Sequence, residues 1–290
     1  MRALSILPLI ALSASAVSAF DKIIAFADSF TDNGNVYKHS KFPVSPPYYQ
    51  GRFSNGPTWL EHVAKNLFHI PVSNNGYGGA TTNNEDAYSA FNNWTVPGLQ
   101  QQVDTLNVNG TANDLYLVYI GYNDLNSIVN PHQYNVINKN YTKEKVASNV
   151  VNAVDSIIQK YNASQILVLN APPFWKWPVV KNEDKLLAME LTESYNKLVV
   201  KELTKLNATA NATDIQFLDD YTWWNQTINN VPASLELSTA NGPCNPGIGN
   251  NDECKDPQAH FFYDSYHPEA KAHKAFGDWA TEQLKNMYKL

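Results

Sequence analysis

Apolar residues along this chain fall into two alternating rhythms. Short β-rich runs at 22–26, 70–74, 115–120, 165–169 and 215–218, several of them continuously apolar, predict strands covered on both faces. Between them the period lengthens to that of a helix. Val146, Val150, Val154, Ile157 and Tyr161 form one stripe, and Leu187, Leu191, Tyr195 and Leu198 form another. A third stripe, Ala272, Phe276, Ala280 and Leu284, predicts a last helix starting at Pro268, a residue suited to a first helical turn. Strands alternating with helices imply an α/β fold, a three-layer α/β/α sandwich around a mostly parallel five-stranded sheet. Two long stretches, 39–57 and 223–262, follow neither rhythm. Long loops in compact domains tend to serve function, so both are placed around a pocket.

The N-terminus changes the picture of compartment. Arg2, an apolar stretch over residues 4–12 and the small residues Val17, Ser18 and Ala19 predict a signal peptide over 1–19, leaving one domain over 20–290. That stretch is too short to cross a bilayer, which needs about 20 apolar residues, and no later segment approaches that length. Seven Asn-x-Ser/Thr sequons, at Asn93, Asn109, Asn140, Asn162, Asn207, Asn211 and Asn225, fit a secreted, extracellular glycoprotein. In that compartment the two cysteines, Cys244 and Cys254, are expected to form a disulfide rather than remain buried thiols. The formal charge of −6 becomes one unit more acidic when Arg2 leaves. No basic cluster is present to hold a phosphate backbone, which argues against nucleic acid. The same balance gives no help in docking to anionic lipid, so stable membrane insertion is not expected, and a monomer is.

Candidate chemistry sits at the two ends of the chain. Ser29 lies in Phe26-Ala27-Asp28-Ser29-Phe30, directly after the first apolar run. Asp264 and His267 stand three residues apart in Tyr263-Asp264-Ser265-Tyr266-His267-Pro268. A hydroxyl at a strand tip, a base and a carboxylate to orient that base are what nucleophilic ester chemistry requires. A serine after a strand can also be a helix N-cap. Asp28 and Asp32 read as acceptors for nearby backbone N–H groups, and Asp124 as a group fixing its loop. The histidines lack metal-ligand spacing, so neither a metal nor a cofactor is expected. The Gly-x-Ser-x-Gly elbow of the usual lipases is absent.

Four blocks in order resemble those of the GDSL-type SGNH hydrolases. They are Phe26-Ala27-Asp28-Ser29 with Asp32-Asn33-Gly34-Asn35; Asn74-Asn75-Gly76-Tyr77-Gly78-Gly79-Ala80-Thr81; Ile120-Gly121-Tyr122-Asn123-Asp124; and Asp264-Ser265-Tyr266-His267-Pro268. The resemblance implies an SGNH, flavodoxin-like fold, with Ser29 as nucleophile, His267 as general base and Asp264 orienting it. It assigns the oxyanion hole to the Ser29 N–H, the Gly79 N–H and the Asn123 amide, with Gly78 as the alternative glycine. Ala27 and Phe30 depart from the family's Gly-Asp-Ser-Leu; an alanine is tolerated if residue 27 continues the strand and strained if its φ is positive.

The segment 46–57 resembles a loop of secreted fungal relatives, many of them carbohydrate acetylesterases. On that basis Arg52, Tyr49 and Phe53 are substrate-binding candidates, with Arg52 bonding either a substrate hydroxyl or a loop carbonyl. Tyr48, Trp94, Trp175, Trp223 and Trp224 either stack on sugar rings or fill the core. The expected substrate is an acylated carbohydrate or another small ester. The alternatives are a lipid-directed acylhydrolase and a non-catalytic carbohydrate-binding protein.

Overall fold

The computed structural model describes residues 19–210 and 213–290. The leader expected over 1–19, except its last residue, and the Asn211 sequon lie outside the described residues.

Strand β1 (Ile23–Ala27) is the second strand of a five-stranded sheet. Its neighbours are β2 (Val72–Gly76) on one side and β3 (Leu115–Tyr119) on the other, and the sheet continues to β4 (Gln165–Leu169) and β5 (Asp214–Leu218). All four pairings are parallel. β1 and β3 are buried along their whole length, which is why they read as unbroken apolar runs. β2 starts two residues later than its apolar pattern suggests. Pro71 has no N–H to donate, and its carbonyl instead accepts from Ile23 N before the ladder begins.

The helices are α1 (Asn35–Ser40), α2 (Trp59–Asn66), α3 (Leu99–Thr105), α4 (Tyr122–Val129), α5 (Lys143–Tyr161), α6 (Lys185–Thr209), α7 (Asp220–Asn229) and α8 (Ala270–Tyr288). Successive strand residues point to opposite faces, so β3 shows how the layers divide. Tyr116 stacks on Tyr161 of α5, whereas Tyr119 meets Trp59 of α2 and Phe276 of α8. α5 therefore covers one face, and the packed pair α2 and α8 covers the other. Among the described residues no helix is long and apolar enough to cross a membrane.

Three expectations need correction. α8 begins at Ala270, because the Glu269 side chain caps it by accepting from Lys271 N at 2.6 Å, while Pro268 forms an isolated bridge to Phe262. On α6 the buried face is Ala188, Thr192, Tyr195, Val199 and Leu203, and Leu187 is 52% exposed. The stretch 223–262 is not one loop: α7 covers its start, and β6 (Ser238–Asn245) pairs in parallel with β7 (His260–Asp264) at its end.

The strand order reverses direction at β1: the chain moves to β2 on one side, then crosses to β3 on the other. In open parallel sheets that reversal leaves a crevice beyond the carboxyl ends of the two diverging strands. The second and third sequence blocks follow β2 and β3, and the first follows β1, so all open onto that edge.

Candidate active site

β1 delivers its last residue, Ala27, as ordinary strand without positive φ, so the extra methyl of the first block carries no backbone strain. The Gln102 side chain grips the same residue twice, accepting from Ala27 N and donating to Ala27 O, each at 3.1 Å. The chain then turns sharply, with Thr31 N and Asp32 N both donating to Asp28 O. Ser29 sits in this turn, 2% exposed. It caps no helix; the residue before α1 is Gly34.

The other end of the chain meets it. Tyr263 N donates to His267 O at 2.9 Å, folding the end of β7 back on itself and bringing Asp264 and His267 to one side. His267 Nε2 lies 2.7 Å from Ser29 Oγ. Its Nδ1 lies 2.8 Å and 2.9 Å from the two Asp264 oxygens. Ser29, His267 and Asp264 are all buried. Asp264 has two more donors, Tyr266 N at 2.7 Å and Tyr48 OH at 2.8 Å. The Tyr48 oxygen in turn accepts from Gly249 N at 2.9 Å. Burial, reinforced by the Asp264 charge, pushes the Tyr48 hydroxyl's pKa far up and keeps it a donor.

The second block supplies the glycine pair, and the two residues have different duties. Gly78 N donates to Asp32 Oδ2 at 2.9 Å, and a Cβ at Gly78 would strike the Phe53 ring at 1.9 Å. Gly79 has φ +80°, the left-handed region that favours glycine. Among the described residues neither Gly79 N nor Ser29 N donates to a protein acceptor. From the third block, Asn123 Nδ2 donates to Ala80 O at 2.9 Å, which uses one of its two N–H bonds. Ser29, Gly79, Asn123 and His267 share one cavity of about 140 Å³, walled by Phe53, Phe91, Tyr122 and Tyr266 among others.

The buried acids hold these blocks to one another. Asp32 accepts from the backbone of Gly34, Asn35 and Val36 as well as Gly78, and Asp124 accepts from Thr82 N, Thr82 Oγ1 and Tyr141 OH. Burial pushes the Asp28 carboxyl up to about 7, and Asp32 and Asp124 to about 6.

Of the three substrate-binding candidates, only Phe53 lines the cavity, its ring 5.2 Å from that of His267. Arg52 points elsewhere. Its guanidinium pairs with Glu61, at 2.6 Å through Nη2 and 3.2 Å through Nε, and lies over the Tyr49 ring. Glu61 and Thr58 form the capping box of α2, so Arg52 braces a helix start. Of the stacking candidates, Tyr48 is buried against Asp264, Trp224 is in the core, and Trp94 stacks on His39. Trp175 lies beneath the Lys176 ammonium and Trp223 packs on Trp279, so none of the four tryptophans lines the cavity. Tyr134, which lines the cavity, was marked by no linear pattern, and none signalled the bond that Tyr48 makes to Asp264.

Cys244 and Cys254 are joined as a disulfide, closing the loop that carries Gly249. Asn93, Asn109, Asn140 and Asn162 are exposed, whereas Asn207 and Asn225 are half-buried. Asn207 Oδ1 is already engaged by Ile215 N.

A serine oxygen held against an imidazole, with free N–H groups beside it, is suited to attack on an ester carbonyl. Known proteins point the same way. Among curated relatives, the chain is similar to a phosphatidylcholine-sterol acyltransferase of Aeromonas hydrophila, 26% identical over 217 residues that cover 69% of this chain and 60% of that protein. It is also similar to the secreted effector protein SseJ of Salmonella typhimurium, 23% identical over 88% of this chain and 61% of that one. The chain thus spans about 60% of the length of these two relatives. A solved GDSL-like lipase from Parabacteroides merdae shares the fold, with TM-score 0.56, 14% identity and coverage of 92% of this chain and 96% of that chain. The sequence profile of the GDSL-like lipases and acylhydrolases matches residues 23–280, and the chain belongs to that family.

Proposed function

We propose that this acylhydrolase is a secreted serine esterase that removes short acyl groups, acetyl foremost, from carbohydrates. Ser29 Oγ attacks the ester carbonyl while His267 Nε2 takes its proton; Asp264 holds the other ring nitrogen and stabilises the imidazolium. The negative charge developing on the carbonyl oxygen is met by Ser29 N, Gly79 N and the second Asn123 N–H. The alcohol leaves with the proton from His267, and water then releases the acid from Ser29 by the same steps in reverse. The observation that carries this reading is the 2.7 Å contact between Ser29 Oγ and His267 Nε2 beside two unspent backbone donors.

The short-acyl preference is supported by size. A cavity of about 140 Å³ is well below the roughly 300 Å³ at which pockets for drug-sized ligands begin. Ser89, Gln133 and Asn135 give its wall polar groups suited to hydroxyl-rich alcohols. Export rests on the N-terminal signal pattern and the sequons; N-terminal sequencing of the mature protein and a gel shift with endoglycosidase check it.

A second reading, lipid-directed acyl hydrolysis or transfer, is favoured by the likeness to the Aeromonas acyltransferase. Release of acetate from acetylated oligosaccharides, assayed beside acetyl and long-chain p-nitrophenyl esters and a lysophospholipid, separates the two. The first reading expects acetyl esters to be cleaved faster by at least about tenfold. Preference for the long chain or the lysophospholipid overturns it in favour of the second. No turnover of any ester leaves the carbohydrate-binding alternative.

A further inference from the structure

A side-chain amide serves an oxyanion only if its nitrogen, not its oxygen, faces the cavity, and the two ends are nearly the same size. Something must therefore fix the orientation of Asn123. Around it runs a chain of hydrogen bonds with one polarity. Asn130 Nδ2 donates to Asn126 Oδ1 at 2.9 Å. Asn126 Nδ2 donates to Tyr134 OH at 3.2 Å. Tyr134 OH donates to Asn123 Oδ1 at 2.9 Å, and Asn123 Nδ2 donates to Ala80 O at 2.9 Å.

We propose that Tyr134 is a positioning residue that locks the Asn123 amide with its second N–H aimed at the oxyanion. This rests on the esterase reading above. A tyrosine hydroxyl has one proton. Because Asn126 approaches it as a donor, that proton goes to Asn123 Oδ1. Turning the amide over would set Asn123 Oδ1 against the Ala80 carbonyl and Asn123 Nδ2 against a hydroxyl already receiving a donor. Both contacts of the reversed amide are worse, so a single orientation remains. Burial holds the Tyr134 hydroxyl protonated, which keeps the chain intact at neutral pH.

The backbone supports the same assignment. Asn135–Val136, next to Tyr134, pairs antiparallel with Ala87–Tyr88. That segment leads directly to Ser89, whose side chain lies where a Cβ on Gly79 would reach it, at 3.0 Å. The strand that follows Tyr134 is thereby paired with the segment leading to Ser89, which flanks Gly79, so the supports of two of the three oxyanion donors are neighbours. Tyr134 does not itself supply an oxyanion donor, since its one proton is spent on Asn123.

The test is a double-mutant cycle on hydrolysis of an acetyl ester, with Ser29→Ala run in parallel. Tyr134→Phe keeps the ring and removes the hydroxyl; kcat is expected to fall about tenfold, with KM changed less than threefold. Binding of a boronic acid that mimics the tetrahedral intermediate weakens by a similar factor, while competitive inhibition by the alcohol product does not change. In an Asn123→Ala background, itself about 100-fold down, Tyr134→Phe gives no further loss. Asn126→Ala, which removes the donor that sets the polarity of Tyr134, loses activity in the same direction and also has no effect on top of Asn123→Ala; it decides the matter if Tyr134→Phe does not fold. Wild-type kcat in Tyr134→Phe, or a loss that persists undiminished in the Asn123→Ala background, overturns the proposal. Turnover surviving in Ser29→Ala overturns the reading of Ser29 as nucleophile instead, whatever Tyr134 does.

Discussion

Tyr48 shows how a single hydroxyl is committed by its surroundings. It is fully buried, and its oxygen is shared between Asp264, to which it donates, and Gly249 N, from which it accepts. Tyr48→Phe removes one of the donors that hold Asp264 against His267 and leaves a buried N–H unpaired, a cost of about 1–3 kcal/mol. The expected result is a fall of about tenfold in kcat/KM with a loss of a few degrees in Tm; unchanged values of both contradict it. Ser29, Gly79, Asn123, Asp264 and His267 were legible because each sits in a short linear block. Tyr48 was not, because its partner is 216 residues away and nothing local distinguishes it from Tyr49. Arg52 was left open between a substrate hydroxyl and a loop carbonyl. It takes the second, donating to Gln50 O at 3.1 Å, and the capping-box spacing of Thr58 and Glu61 nearby marks the carboxylate that also claims it.

Among the elements, those set by simple periodicity were readable and those set by context were not. α8 buries all four residues its stripe marks, and α5 buries Val146, Val150, Val154 and Ile157, with Tyr161 packed half-buried against the core. α6 buries Ala188 and Thr192, which are small or polar, beside the expected Tyr195; Leu191 and Leu198 pack half-buried at the edge of the core, and Leu186 and Leu187 are exposed. β6 escaped notice because its residues, Ser-Thr-Ala-Asn-Gly-Pro-Cys-Asn, hold no apolar run. β7 does carry one, Phe261, Phe262 and Tyr263, but its partner strand could not be read locally. The loop between them carries the disulfide, and its Gly249 reaches the Asp264 carboxylate through Tyr48. Closing so short a loop contributes roughly 2–3 kcal/mol by the chain-entropy estimate. The paired variant Cys244→Ser, Cys254→Ser is expected to keep its far-ultraviolet circular dichroism, melt at lower temperature and lose several-fold in ester turnover. Full activity in that variant would show that the loop holds its place without the bond.

At the scale of the molecule, the parallel sheet places its site by burying acids around it, and this sets how stability depends on pH. Burial raises the pKa of Asp28 to about 7 and of Asp32 and Asp124 to about 6, and raises Asp220 and Glu269 as well. It lowers His273 to about 3, and lowers His62. The raised carboxyls bind protons in the folded state that the unfolded chain has released above about pH 4, and the two imidazoles do the reverse below about pH 6.5. Five carboxyls outweigh two imidazoles, so the folded state holds the net excess of protons between these limits. Stability is therefore expected to fall as pH rises through 6 to 7, with Tm higher by several degrees at pH 5 than at pH 8, and Asp28→Asn should flatten the slope. A Tm that rises or stays level over that range contradicts the balance. The fold itself was readable because alternating strands and helices admit few arrangements, and the convergence of residues 29, 264 and 267 follows from where β1 and β7 end. The central claim is that Ser29 is the activated nucleophile. Its most direct test is reaction with a fluorophosphonate, followed by mass spectrometry of the digested protein. One phosphonyl adduct on Ser29, with labelling and esterase turnover both lost in Ser29→Ala, is the predicted result; an adduct on another residue, or turnover that survives the substitution, would contradict it.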